Sequence, residues 1–332
     1  MTAFPTNLYP VTEIANDTLN VTTAEPPPSL TWTVLTATSL SIVTLTSILG
    51  NALVLVTLTV ERHLRTPANS LIGSLAVADL LVSLLVMPIS ASYELTQTWR
   101  LGRAMCDIWI ILDVTCCTAS ILSLCIIALD RYWAITDAVK YVHKRTPKRM
   151  MVMIGVVWLL SVGISIPPVF GWRKPEDTAD PNNCLISQDH AYTIFSTFGA
   201  FYIPLIIVLA VYYKIFRAAQ ARIRKRINSR AKMGLSQALQ SRMVSQKKIL
   251  FSKERKAAQT LGVITGVFVF CWLPFFLVAL IGPFCATCHI SDVIKSVVLW
   301  LGYVNCMVNP FLYAFLNKDF QKSFKKILFG RR

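Results

Sequence analysis

Apolar residues run through this chain in long blocks, and short polar segments separate them. A helix of about 20 apolar residues crosses the hydrocarbon core of a bilayer. The blocks therefore predict seven spans: residues 30–60, 67–92, 106–132, 150–170, from 191 into a basic segment, 257–281 and 290–316. Residues 1–29 are polar, end in Pro26-Pro27-Pro28 and Ser29, and predict a disordered arm. Residues 317–332 interleave Phe320, Phe324, Ile327 and Leu328 with lysines. That pattern predicts an amphipathic helix lying on the membrane surface. The expected architecture is an all-α membrane protein: a seven-transmembrane helix bundle over 30–316 with a short amphipathic helix and tail after span 7.

Two acids lie well inside apolar blocks, away from their ends: Asp79 in span 2 and Asp113 in span 3. A carboxylate in mid-span costs roughly 2.5–3.5 kcal/mol even on lenient insertion scales, so it marks a functional site by default. Asp113, Cys117 and Ser120 follow at i, i+4 and i+7 and share one helix face. The plainer reading of Asp113 is a salt bridge to another helix.

Of the 332 residues, 54% are hydrophobic and 15% charged, which is too apolar for a soluble domain. The net charge of +16 would suit nucleic acid, but the basic residues sit between spans, so nucleic acid is excluded as a partner and membrane lipids are not. The loops after spans 1, 3 and 5 and the tail hold nearly all Lys and Arg. The other side has Arg100, Arg103, Arg173, Lys174 and Lys295. By the positive-inside rule the N-terminus is extracellular and the C-terminus cytoplasmic in a multi-pass plasma-membrane protein. The glycosylation acceptors Asn16 and Asn20 then fall outside, as do Cys106 and Cys184, where disulfides form. No signal peptide is legible, so span 1 serves as its own insertion signal. The nine cysteines show no zinc spacing. No nucleophile–base or metal constellation indicates an enzyme, and no inverted repeat with broken helices indicates a transporter.

The motifs resemble, in order and on the right spans, those of rhodopsin-like (class A) G-protein-coupled receptors. They are Gly50-Asn51, Asp79 in LAVAD, the Cys106/Cys184 pair, Asp130-Arg131-Tyr132, Trp158, Pro204 with Tyr212, Cys271-Trp272-Leu273-Pro274 and Asn309-Pro310-x-x-Tyr313. Asp113 with Trp272-x-x-Phe275-Phe276 and Trp300-x-x-Tyr303 is similar to the biogenic-amine group. LDVTCCTASILSLCIIALDRYWAITD, KRTPKR, ISIPPVFGWR and YTIFSTFGAFYIPL resemble type 1 serotonin receptors, most nearly subtype A. There are departures. Leu299 stands where subtype A has an asparagine, the loop between spans 5 and 6 is short, and the tail has no Cys to palmitoylate.

The resemblance implies a receptor for serotonin or a related amine; dopamine, octopamine and tyramine are the alternatives. A protonated amine needs a carboxylate in a low-dielectric pocket, and aromatic walls add burial and cation–π attraction. Any one of these aromatics, taken singly, reads more readily as ordinary bundle packing. The implied ligand site is Asp113 as anchor and Tyr303 as its support, with Val114, Cys117, Thr118, Ser196, Thr197, Ala200, Trp272, Phe275, Phe276, Ala279, Leu299 and Trp300. Ser196 and Thr197 followed by the small Ala200 suit an indole with one hydroxyl. Asp79, Ser120, Asn305 and Asn309 resemble the family's site for an allosteric sodium ion; no other cofactor is implied.

The implied switch pairs Arg131 with Glu254 at rest. It uses Asp130, Tyr132, Ile121, Pro204, Phe268, Tyr212, Pro310 and Tyr313 to open the inner face. The implied output is an inhibitory Gi/o protein that lowers cyclic AMP, docking near Ile223, Ile227, Leu250 and Ala257, with arrestin and receptor kinases as further partners. Cys106 and Cys184 would pin the outer loop. Cys285 and Cys288, at i and i+3, would close a second ring if its tightness allows.

Overall fold

The computed structural model describes residues 29–136, 138–232, 262–285, 287–288 and 290–330. Asn16, Asn20, Leu250, Glu254 and Ala257 lie outside them. Seven described helices are long and apolar enough to cross a membrane: spans 1 (Leu30–Val60), 2 (Pro67–Thr96), 3 (Gly102–Thr136), 4 (Pro147–Ser165), 5 (His190–Ala218), 6 (Gly262–Phe284) and 7 (Asp292–Leu316). A loop helix, Ala138–Lys144, follows span 3, and a tail helix, Lys318–Phe329, follows span 7.

The helix starts follow from capping chemistry. Ser29, Thr66, Thr146, Asp189, Ser291 and Asn317 each accept a first-turn backbone N–H on the side chain. Pro67 and Pro147 occupy the opening position, where no N–H is needed. Span 4 stops at Ser165, short of the expected Phe170, because Pro167 and Pro168 offer no N–H to continue the helix; a tight 3-10 turn covers Pro167–Phe170. Span 2 runs past the expected Ser92 to Thr96 and ends on left-handed Gln97, φ 50°.

Two spans carry a wide turn that the apolar pattern does not announce, Val82–Val86 in span 2 and Phe198–Tyr202 in span 5. One extra residue in a turn rotates everything beyond it. In span 5 it turns both Ala200 and Phe201 inward, 4% and 0% exposed.

Span 3 is the most enclosed helix, while spans 1 and 4 present most of their surface outward. The exposed positions there are apolar, among them Ile42, Leu49, Leu159 and Leu160, as a lipid-facing surface requires. Polar pairs hold the bundle. Trp158 Nε1 donates to Ser74 Oγ (3.1 Å), the Thr115 and Ser165 hydroxyls meet at 2.6 Å, and Asn51 Nδ2 donates to the Cys306 carbonyl (3.0 Å). Gly50 lets spans 1 and 7 approach, since a Cβ there would lie 2.9 Å from the Pro310 ring. The tail helix docks through buried Phe320 and Phe324 and through Lys326 Nζ, 2.9 Å from Glu61 Oε1.

Candidate ligand-binding site

Span 3 carries Asp113 into the middle of the bundle, 6% exposed. The Cys117 thiol, one turn on, donates to Oδ1 (3.3 Å), and the Tyr303 hydroxyl from span 7 donates to the same oxygen (3.2 Å). Among the described residues no hydrogen bond engages Oδ2 and no basic side chain pairs with this acid. The salt-bridge reading is therefore not what the bundle builds.

A cavity of about 80 Å³, open at its mouth, lies against Asp113. Val114, Cys117 and Thr118 line it from span 3, and Ser196, Thr197 and Ala200 from span 5. Trp272, Phe275, Phe276 and Ala279 line it from span 6, and Leu299 from span 7. These are residues read from the sequence, now brought together. The aromatics brace one another: Phe276 stacks on Phe201 at 4.4 Å and 8°, and Phe275 meets Trp272 and Phe276 edge-on at 5.8 and 5.3 Å. Gly302 makes room for Trp272, because a Cβ there would fall 2.8 Å from the indole. Thr197 Oγ1 donates to its own helix at Thr193 O (2.6 Å), which leaves oxygen lone pairs for a ligand donor.

Trp300 is placed differently from expectation. It does not line the cavity but stands behind Tyr303, edge-on at 5.3 Å, with its Nε1 unbonded. Three lining residues were not read as such. Ile186 descends from the outer loop, Tyr192 faces in one turn above Ser196, and Ile121, expected only in the switch, forms part of the floor. Tyr192 was legible as the i−4 neighbour of Ser196. Ile186 carried only its nearness to Cys184. The disulfides Cys106–Cys184 and Cys285–Cys288 are both formed.

Asp79 is fully buried deeper in the bundle. Ser120 Oγ donates to Oδ1 and Asn309 Nδ2 to Oδ2, both at 2.8 Å. Neither amide atom of Asn305 has a partner, nor does Asn51 Oδ1 or the Tyr313 hydroxyl. A buried carboxylate held by neutral donors among unfilled polar atoms fits a small hydrated cation, with Asp79, Ser120, Asn305 and Asn309 to hold it. Among the described residues no cluster of His, Cys, Asp and Glu suits a transition metal.

At the inner end, Asp130 is 1% exposed and accepts from Tyr141 Oη and Arg145 Nε, both at 2.9 Å. Its fork partner is thus Arg145 of the following loop. Burial and the Asp130 charge push the Tyr141 phenol up to about 12. Arg131 and Tyr132 follow on the same helix, and the expected Arg131–Glu254 pair falls outside the described residues. Phe268 is buried below Trp272 and 5.8 Å from Phe201, and Pro204 accepts from the Cys125 thiol. Tyr212 accepts from Thr265 (3.0 Å), while Tyr313 rests 5.8 Å from Phe320.

Seven helices of membrane-spanning length thus enclose an acid and a group of aromatic rings at the centre of the bundle. Residues 50–313 match the family described as 7 transmembrane receptor (rhodopsin family). The chain belongs to this family: it is a multi-pass plasma-membrane receptor, not an enzyme. It is 43% identical over 379 aligned positions to 5-hydroxytryptamine receptor 1A-alpha of Takifugu rubripes, covering 91% of this chain and 90% of that one. It is 44% identical to 5-hydroxytryptamine receptor 1A of Xenopus laevis (85% and 88%) and 44% identical to 5-hydroxytryptamine receptor 1B of Oryctolagus cuniculus (90% and 87%).

Proposed function

We propose that the chain is a serotonin receptor that signals through inhibitory Gi/o proteins. The observation that carries this reading is Asp113, buried with one oxygen unengaged at the wall of an aromatic cavity. A primary ammonium would pair with that oxygen, where burial strengthens the attraction. The indole would lie against Phe275, Phe276 and Trp272, and its hydroxyl would reach Ser196 or Thr197. The names of the relatives support serotonin over other amines, and the type 1 resemblance supports Gi/o.

In this reading the N-terminus is extracellular, glycosylated at Asn16 and Asn20, and the C-terminus is cytoplasmic. A sodium ion at Asp79 favours the resting state. Agonist shifts a two-state balance toward an open inner face, where Gi/o, arrestin and receptor kinases dock. The test is displacement of labelled serotonin across an amine panel, with cyclic AMP read in pre-stimulated cells. Serotonin should displace best and lower cyclic AMP, and pertussis toxin should abolish the fall. A better fit by tyramine, octopamine or dopamine would reassign the ligand, and a toxin-insensitive response would reassign the partner.

A further inference from the structure

We propose that Asp107 and Arg173 form a noncovalent tether that holds the outer loop over the ligand cavity and sets how fast ligands enter and leave. Asp107 follows Cys106 directly, so the ion pair and the disulfide grip the top of span 3 side by side. Arg173 Nη1 donates to Asp107 Oδ1 at 2.7 Å, with the Arg173 side chain 11% exposed. Arg103, one turn earlier, approaches the same oxygen (3.3 Å) and reaches the Asp177 carbonyl (3.5 Å). Asp177 in turn gathers the loop on its carboxylate, accepting from the backbone N–H groups of Lys174 (3.2 Å) and Gln188 (3.0 Å).

The tether leads to the cavity by a short path. Trp172, beside Arg173, accepts from Ser187 Oγ (2.9 Å), and Ser187 neighbours Ile186, which lines the cavity. Around Cys184 the loop is held by the disulfide, by the Tyr93 hydroxyl on Asn183 Oδ1 (3.2 Å) and by the Trp99 N–H on the Asn182 carbonyl (2.6 Å). The ion pair adds an anchor at Arg173, eleven residues earlier in the loop. The Arg173 side chain is 11% and that of Asp107 27% exposed, so this charge-assisted bond is partly shielded and stronger than a fully open surface pair. Arg173 does not line the cavity. It is therefore a positioning residue that acts through Ile186.

The proposal rests on the serotonin reading for its ligand but not for its geometry, and two measurements keep them apart. The first is the association and dissociation of labelled serotonin on membranes carrying the full chain. Arg173→Ala should raise both rate constants about five-fold and leave Kd within about two-fold, because a gate speeds both directions. Arg173→Lys, which keeps the charge and loses the fork, should fall between, and serves if the alanine variant does not reach the surface. Asp107→Asn should speed both rates as Arg173→Ala does, and the two changes combined should add nothing further. Unchanged rates, or faster dissociation matched by an equal loss of affinity, would overturn the tether.

The second measurement is amide hydrogen exchange at Gln188 and Asp189 in the ligand-free receptor. It should speed up about five-fold in Arg173→Ala; no change would also overturn the tether. If wild type binds no serotonin yet exchange accelerates, the ligand assignment fails and the tether stands.

Discussion

Asp113 and Asp79 are both carboxylates buried in the same seven helices, yet the bundle treats them oppositely. Asp79 has both oxygens engaged, by Ser120 and Asn309, and lies 0% exposed among further polar atoms. Asp113 has both donors on one oxygen and a cavity beside it. The first is a closed site whose carboxylate is held on both oxygens by neutral donors. The second keeps one oxygen free beside an aromatic-lined cavity. Burial penalises the charge at both, and the donors are distributed differently around each.

The largest expected effect attacks the open site. Removing one partner of a buried ion pair costs about 3–5 kcal/mol, so Asp113→Ala should weaken serotonin roughly 10² to 10³·⁵-fold at normal surface expression. Equal affinity in saturation binding would remove Asp113 as the anchor. At the closed site, sodium should weaken agonist binding about five- to ten-fold, and Asp79→Asn should abolish that sensitivity. Agonist competition curves with and without sodium, in both proteins, decide it; a variant that still responds ends the parallel between the two acids.

A smaller effect sharpens the contrast. Tyr303→Phe removes one of the two donors from Asp113 Oδ1. One neutral hydrogen bond is worth about 0.5–1.5 kcal/mol net, so agonist affinity should fall about three- to ten-fold while sodium sensitivity stays. Loss of both effects together would mean the two acids form one coupled unit.

The smallest concerns a third acid, at the membrane edge. The Lys326 ammonium beside Glu61 holds its carboxyl below the ordinary range. A lowered folded value means the link contributes at neutral pH and is lost as pH falls through that value. Glu61→Gln should therefore lower the melting temperature of solubilised receptor slightly at pH 7, and the gap should close toward acid. A gap independent of pH would assign Glu61 a role other than this ion pair.

The sequence alone determined the seven spans, the tail helix and both intramembrane acids. In lipid only a helix satisfies its own backbone, so an apolar block of spanning length has one available structure, and a carboxylate within it stands out against every neighbour. What the tertiary structure decided is rotational and long-range. The wide turns at Val82–Val86 and Phe198–Tyr202 turn residues about their helix axes without changing how apolar the block looks. That Trp300 stands behind Tyr303 while Ile186 reaches the cavity depends on neighbours far away in the chain. So does the pairing of Asp130 with Tyr141 and Arg145. Hydrophobicity says that a residue is inside the membrane; only packing against the other helices says which way it faces and what it touches.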